Sequence, residues 1–143
     1  MKIKSENVHE ALIQDNPCFG CTECCEYVAV EIDKPVSLAD FENIRWFILH
    51  KNVWIYIDDS NDWYLQFDSP CEKLDSSGLC AHYPLRPEIC RKYSAEECTH
   101  NSKAGDPHKV TIKCEKDLDN YLIKNRPVMR RRLAEKLKPN GSK

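Results

Sequence analysis

Nine cysteines are the residues of this 143-residue chain best suited to chemistry, and four of them lie within CFGCTECC: Cys18, Cys21, Cys24 and Cys25. The first three have the spacing C-x2-C-x2-C. Two intervening residues let a loop turn back so that successive sulfurs point at one centre, as in bacterial ferredoxin clusters, and C-x2-C alone is typical of zinc sites. This spacing predicts a metal centre held by thiolates.

Cys25 follows Cys24 directly, and adjacent side chains in an extended backbone leave on opposite faces. We therefore expect Cys25 to serve a different metal atom, a second site or no metal. The remaining ligands are expected among four distal cysteines, which are Cys71, Cys80, Cys90 and Cys98. The eight cysteines could form two four-sulfur sites, or one iron-sulfur cluster with additional thiols around it.

The ninth cysteine and the histidines are weaker candidates. Cys114 lies on a predicted strand, where we expect a buried free thiol outside the site. His82, His100 and His108 could each ligate zinc, and His82 is the best of them because it lies two residues from Cys80. The thiols already suffice, so we expect these histidines to be polar surface.

Nearby cations are expected because four thiolates around a divalent metal or a 4Fe-4S core leave about two negative charges to be offset. Arg86 and Arg91 lie within the distal cysteine loop and are predicted to be near the cofactor, whereas Lys92 is expected to face solvent. No Ser/His/Asp order, phosphate loop or paired-carboxylate pattern is present. Any catalysis would therefore belong to the metal centre, and no catalytic residue is predicted.

The elements that must position these residues indicate a small α+β domain. Its predicted parts are a short antiparallel sheet, a few helices and a C-terminal helix, with a long irregular loop held by metal. Residues 1–114 are predicted to form the cysteine-cluster metal-binding domain, and residues 115–143 a helical segment and basic tail of the same domain. The elements are strands at 27–32, 53–57, 63–67 and 108–114, a helix capped by Ser37 and Asp40, a short helix at 87–93, and a helix at 115–138 that Pro127 kinks or divides. The second and third strands are predicted to form a hairpin, and the core face of the capped helix is predicted to carry Leu38, Phe41, Ile44 and Ile48.

Charge and hydropathy limit the compartment and the partners. The formal net charge is −2, and no apolar run suggests a signal peptide or a membrane span, so the expected compartment is the cytoplasm. Thiols stay reduced there, which favours metal binding over disulfides. From Lys124 to Lys143 there are eight Lys or Arg and one acid, Glu135. This tail is expected to be a packed surface helix, with RNA, an acidic protein or an anionic membrane as alternative partners.

The two cysteine segments resemble the CxxCxxCC cysteine-cluster family, also called the YkgJ type, over residues 17 to 98. Cys18, Cys21, Cys24 and Cys25 match its first motif. Its second half is matched by Cys71, Gly78-Leu79-Cys80, Tyr83, Arg86-Pro87, Cys90, Arg91, Tyr93 and Cys98. The resemblance implies zinc or iron chelation by these cysteines. Its broader relatives include flagellin lysine N-methylase, a protein-modifying enzyme with an iron-sulfur cluster.

Two departures limit what this resemblance implies. Glu23 stands where the family often has glycine, and the chain has no glycine-rich nucleotide-binding turn, so methyl transfer by this chain alone is not expected. Three functions stay open. The first is a 4Fe-4S protein with a redox or accessory role in a modification pathway, served by a protein or redox partner. The second is a structural zinc module that mediates protein or nucleic-acid interaction, and the third is an accessory protein that acts through its basic tail.

Overall fold

The computed structural model describes residues 22–92 and 108–139, which fall into two compact units. The first, here called the cysteine unit, includes residues 22–27 and 69–92. The second, the sheet unit, includes residues 28–68 and 108–139. Cys18, Cys21, Cys98 and His100 lie outside the described residues, and the predicted boundary at residue 114 stays a prediction.

The sheet unit contains a four-stranded antiparallel sheet in the order β1-β3-β2-β4. Strands β2 and β3 form the predicted hairpin, with Tyr56 opposite Tyr64 and their rings stacked at 4.9 Å. In the turn between them, the Asp58 carboxylate accepts from the backbone N–H groups of Ser60 and Asp62. The strands are β1 (Val28–Ile32), β2 (Val53–Asp58), β3 (Trp63–Phe67) and β4 (His108–Ile112).

Four α-helices occur in the described parts of the chain, three of them in the sheet unit. They are α1 (Leu38–Ile48), α2 (Glu88–Lys92), α3 (Glu115–Asn125) and α4 (Pro127–Lys136). Helix α1 begins with the predicted capping box: the Ser37 hydroxyl accepts from the Asp40 N–H, and the Asp40 carboxylate accepts from the Ser37 N–H at 2.8 Å. The short sheet with a few helices confirms the predicted α+β class.

The hydrophobic core belongs to the sheet unit, because the apolar residues of its helices and strands are spaced so that they lie on one face of each element. Helix α1 buries three of its predicted core residues, Phe41, Ile44 and Ile48. From the hairpin and β4 come Ile55, Ile57, Trp63, Leu65 and Ile112, and from α3 and α4 come Leu118, Leu122, Met129 and Leu133.

Pro127 starts a second helix, which is one of the two predicted outcomes for the C-terminal segment. Helix α4 buries Met129 and Leu133, and Arg130 and Lys136 form ion pairs with Asp119 and Glu42 at 2.9 and 2.6 Å. The apolar side of the basic tail is therefore packed within the sheet unit as far as these residues extend.

The cysteine unit contains little regular structure: two 3-10 turns at Glu23–Cys25 and Tyr83–Leu85, and the short helix α2. The short helix and the irregular loop agree with the prediction for this segment. Within residues 22–92 and 108–139, no helix is long and apolar enough to cross a membrane.

Candidate metal centre

The first cysteine loop is a tight turn rather than an extended segment. Glu23–Cys25 form one turn of 3-10 helix, in which the Cys25 N–H donates to the Thr22 carbonyl at 2.9 Å. Our expectation that Cys24 and Cys25 point to opposite faces assumed an extended backbone. In the turn, the two thiols instead form a hydrogen bond with each other. Which metal atom each would serve stays a prediction.

The second cysteine loop is joined to the first through the main chain. The Cys71 N–H donates to the carbonyl oxygen of Cys25, and the Leu74 N–H donates back to the Cys71 carbonyl at 3.1 Å. These bonds hold Cys71 at the start of a turn beside Cys25. Two cysteines far apart in sequence are thus neighbours in the structure.

Asp75 organises the turn that carries Cys80. Its carboxylate accepts from the backbone N–H groups of Ser77 and Leu79, both at 2.9 Å, and from the Ser77 hydroxyl at 2.6 Å. These hydrogen bonds, led by the one from the Ser77 side chain, lower the pKa of Asp75. Leu74 and Cys80 then pair as an isolated antiparallel bridge. The role of Asp75 was not predicted, although an aspartate followed by Ser-Ser-Gly is a recognisable turn signal.

The backbone conformation of this turn favours glycine at Gly78, which lies close to the first cysteine loop. Its φ is +81°, a conformation that disfavours side chains with a Cβ. A Cβ at this position would also lie 3.4 Å from the Thr22 methyl carbon, in the first cysteine loop. The Gly78-Leu79-Cys80 turn therefore lies beside Thr22, two residues before Cys24.

Cys90 lies on α2, and Arg86 and Arg91 form hydrogen bonds with backbone carbonyls of the segment that precedes this helix. Arg86 donates to the Tyr83 carbonyl and lies over the Tyr83 ring, 3.8 Å from its centroid. Arg91 donates to the carbonyls of Arg86 and Pro84 at 3.0 and 2.7 Å. The predicted cofactor-binding arginines thus bind backbone carbonyls, and their contact with a cofactor stays a prediction. Lys92 is exposed and pairs with Glu88, in accord with its expected position facing solvent.

Four cysteines surround Cys25 closely enough to change its acidity. Burial raises the pKa of the half-buried Cys25 thiol, and the hydrogen bond with Cys24 lowers it. Electrostatic repulsion raises this pKa further, and its sources are Cys71, Cys80 and Cys90. The structure therefore brings together five of the eight predicted ligands. A bound cation would offset the repulsion among them.

The thiols are gathered but not arranged in a coordination geometry. Among the residues that the structure describes, no group of three or more Cys, His, Asp or Glu side chains is placed to hold a metal ion. Cys25, Cys71, Cys80 and Cys90 are free of disulfides. Thiol sulfur is the donor that zinc and iron-sulfur clusters prefer, so the donor set fits either group.

The matching family is described as a "putative zinc- or iron-chelating domain", and its sequence model covers residues 17–116. The chain belongs to the CxxCxxCC family. Membership supports metal binding and confirms the predicted resemblance, which was drawn on residues 17 to 98. Searches among curated proteins and among solved structures found no match.

The family match extends past the predicted ligands to Cys114 and the strand β4. Cys114 precedes α3 as its N-terminal flanking residue and is exposed, so the prediction of a buried thiol was wrong. The strand ends at Ile112, two residues earlier than expected, which leaves Cys114 in the connection to the helix. His108 packs against the rings of Trp54 and Tyr56 in the sheet unit, and His82 is half-buried at the start of the second 3-10 turn.

The cysteine unit of this CxxCxxCC protein has no hydrophobic core in its described part. Every buried apolar side chain in residues 22–92 and 108–139 belongs to the sheet unit. Large apolar side chains of the cysteine unit are exposed instead: Tyr83, Leu85 and Ile89 are 54%, 69% and 76% accessible. Hydrogen bonds alone rarely hold so irregular a segment in water, which leaves a role for a metal.

Proposed function

We propose that the cysteine unit holds a 4Fe-4S cluster and that the protein serves a redox or accessory role in a modification pathway. The supporting observation is the gathering of Cys24, Cys71, Cys80 and Cys90 around Cys25, in a unit whose described residues bury no apolar side chain. The proposed ligands are drawn from these five and from Cys18, Cys21 and Cys98.

Metal binding would supply the stability that this unit lacks. Burial of apolar surface is the dominant favourable contribution to folding, and small domains without it rely on disulfides or metals. Cys25, Cys71, Cys80 and Cys90 are free of disulfides, and each is at least partly exposed. Binding energy from a metal would then act as folding energy for these loops.

The spacing of the cysteines favours a cluster over a single zinc ion. A structural zinc site and a 4Fe-4S cluster each take four thiolate ligands, so the number of thiols fits either group. The C-x2-C-x2-C run that precedes Cys25 is the spacing of ferredoxin-type clusters. When bound, such a cluster supplies one-electron transfer. The chain's own contribution would be to hold it, with Arg86 and Arg91 fixing the loop that carries Cys90.

A structural zinc module is the second candidate, and the exposed apolar side chains of the cysteine unit favour it. A closed four-sulfur zinc site performs no chemistry and would leave Leu85 and Ile89 available for contact with a protein or nucleic acid. A second zinc ion could take the remaining thiolates.

The deciding experiment is a metal analysis of protein purified without oxygen. Iron, zinc and acid-labile sulfide are measured per chain, together with a visible absorption spectrum and its change on reduction with dithionite. About four irons and four sulfides per chain, with broad absorption that bleaches on reduction, are expected for the cluster. One or two zinc ions in a colourless sample would overturn the cluster and establish the zinc module.

A further inference from the structure

A pocket of about 550 Å³ lies in the sheet unit, and none of the predicted metal ligands lines it. It forms where the β2–β3 turn, the strand β4 and one face of α3 meet. Its volume falls in the range of pockets that enclose small molecules. The pocket is independent of the proposed metal centre and does not rest on it.

Helix α3 supplies one wall of this pocket. Asp117, Asn120, Tyr121 and Lys124 line it, and their spacing of three and four residues places them on one helix face. The Tyr121 ring meets the ring of Trp63 edge to face, with centroids 5.3 Å apart. The amide of Asn120 adds hydrogen-bonding groups along the same face.

The charge of the pocket lining is strongly positive, although the chain as a whole carries a formal charge of −2. Its four cationic residues are Lys34, Lys109, Lys124 and Arg126, and its single acidic residue is Asp117. The Asp117 carboxylate accepts from the backbone N–H of Lys113 at 3.0 Å, at the start of α3. Concave surfaces lined by one sign of charge concentrate ligands of the opposite sign.

Within residues 22–92 and 108–139, the four cations are not neutralised by carboxylates. Lys109 donates to the side-chain oxygen of Asn61 at 2.9 Å, and Arg126 donates to the Val36 carbonyl at 3.2 Å. In the portion of the chain that the structure describes, none of the four forms an ion pair. Other cations of the sheet unit do so, because Arg45, Arg130 and Lys136 each pair with an acid. Neutral acceptors thus position Lys109 and Arg126 while their charge stays available.

We propose that this pocket binds a small phosphorylated molecule through Lys34, Lys109, Lys124 and Arg126. A phosphate group carries the charge and the several acceptor oxygens that four converging cations and neighbouring amides can satisfy. The apolar lining, from Ile57, Trp63 and Val110, accepts the uncharged part of the ligand. Binding needs no metal and involves no covalent step.

The test is isothermal titration calorimetry of the full chain with pyrophosphate at low and at physiological salt. The site variant is Lys34→Gln with Lys124→Gln, since both side chains are exposed and neither forms a hydrogen bond with the residues that the structure describes. The matched control is Lys116→Gln with Lys138→Gln, which removes the same charge from α3 and from the chain after α4. Thermal unfolding of each variant verifies that it is folded.

Pyrophosphate is expected to bind the native chain and the control alike, and to bind the site variant at least about tenfold more weakly. Equal weakening in both variants would show a diffuse effect of net charge and overturn the pocket. Absence of pyrophosphate binding by the folded native chain would do the same. A parallel titration with a single-stranded RNA oligonucleotide distinguishes the two sources of phosphate. RNA binding without pyrophosphate binding would overturn the small ligand and indicate that the pocket binds a nucleic acid.

Discussion

The backbone N–H of Cys71 donates a hydrogen bond to the carbonyl oxygen of Cys25, so the two predicted ligand loops meet through their main chains. This contact places Cys71 beside Cys25 through the main chain, without involving either sulfur. A metal centre assembled on these two loops would therefore start with two of its predicted ligands already neighbours.

We expect Cys25→Ser to weaken metal binding by at least about tenfold, because a hydroxyl stays protonated where a thiolate is needed. Cys114→Ser is the matched control, since Cys114 is exposed in the sheet unit and lies outside the predicted site. The metal content per chain is measured for both variants after anaerobic purification. Equal metal loss in the two variants would show that the boundary of the site is drawn wrongly.

Gly78→Ala should destabilise the cysteine unit by about 1 kcal/mol, since alanine disfavours a φ of +81°. The added methyl would lie within ordinary van der Waals distance of Thr22. The rate of metal loss to a chelator is expected to rise. Ser76→Ala, an exposed change in the same turn, should leave that rate unchanged, and an unchanged rate for Gly78→Ala would contradict the strain expected from this φ.

The Asp75 carboxylate should make metal retention sensitive to acid. Its pKa is lowered in the folded protein, so its stabilising effect is present above the ordinary aspartate pKa and is lost as pH falls through the lowered value. Asp75→Ala should release metal more easily at neutral pH. Asp75→Asn keeps an acceptor oxygen and should flatten the acid dependence of chelator-driven loss. Parallel acid profiles for the native chain and Asp75→Asn would count against this role.

Arg91→Lys separates the hydrogen bonds of Arg91 from its charge. The lysine keeps the charge but cannot reach both the Arg86 and Pro84 carbonyls, so we expect a loss of about 1 kcal/mol in stability of the metal-bound protein. Lys92→Gln removes a neighbouring exposed charge and should have little effect. If Lys92→Gln and Arg91→Gln were equally harmful while Arg91→Lys was harmless, charge would be the property that matters.

The capping box of α1 should contribute to the stability of the sheet unit. Ser37→Ala is expected to cost about 1 kcal/mol in urea unfolding, whereas Ser60→Ala, exposed in the hairpin turn, should cost little. Hydrogen bonds from Ser37 and Val36 lower the pKa of Asp40, so the benefit of its charge should fade as pH falls through that lowered value. Indistinguishable unfolding curves for the two serine variants would refute the cap.

Most of the sheet unit could be predicted from the sequence, because local signals and tertiary packing agree there. Ser37 and Asp40 marked the start of α1, and Phe41, Ile44 and Ile48 marked its buried face. Two aromatic runs of high strand propensity around a polar turn predicted the β2–β3 hairpin. Pro127 could only be assigned a kink or a break, since the choice depends on the packing of Met129 and Leu133 against the rest of the unit.

The cysteine unit was less predictable, because its form depends on backbone hydrogen bonds that leave no periodic pattern. The spacing of the cysteines indicated their chemistry but not the 3-10 turn that brings Cys24 and Cys25 into contact. Cys114 was misplaced for a related reason. Strand propensity extends through the residues around it, whereas the observed strand ends where the Asp117 side chain accepts from the Lys113 N–H at the start of α3.

The strand pairing of the sheet unit also bears on how the two cysteine loops find each other. Val28, the first residue of β1, lies opposite Phe67, the last residue of β3. Cys25 comes three residues before Val28 and Cys71 four residues after Phe67, so the pairing brings the two chain segments that lead to these cysteines close together. Closing a flexible loop of this length would otherwise cost on the order of 3 kcal/mol in entropy. Once β1 and β3 have paired, the second loop is present at high effective concentration around the first. Pairing of β1 with β3 would therefore lower the entropic cost of bringing the two cysteine loops together around a metal.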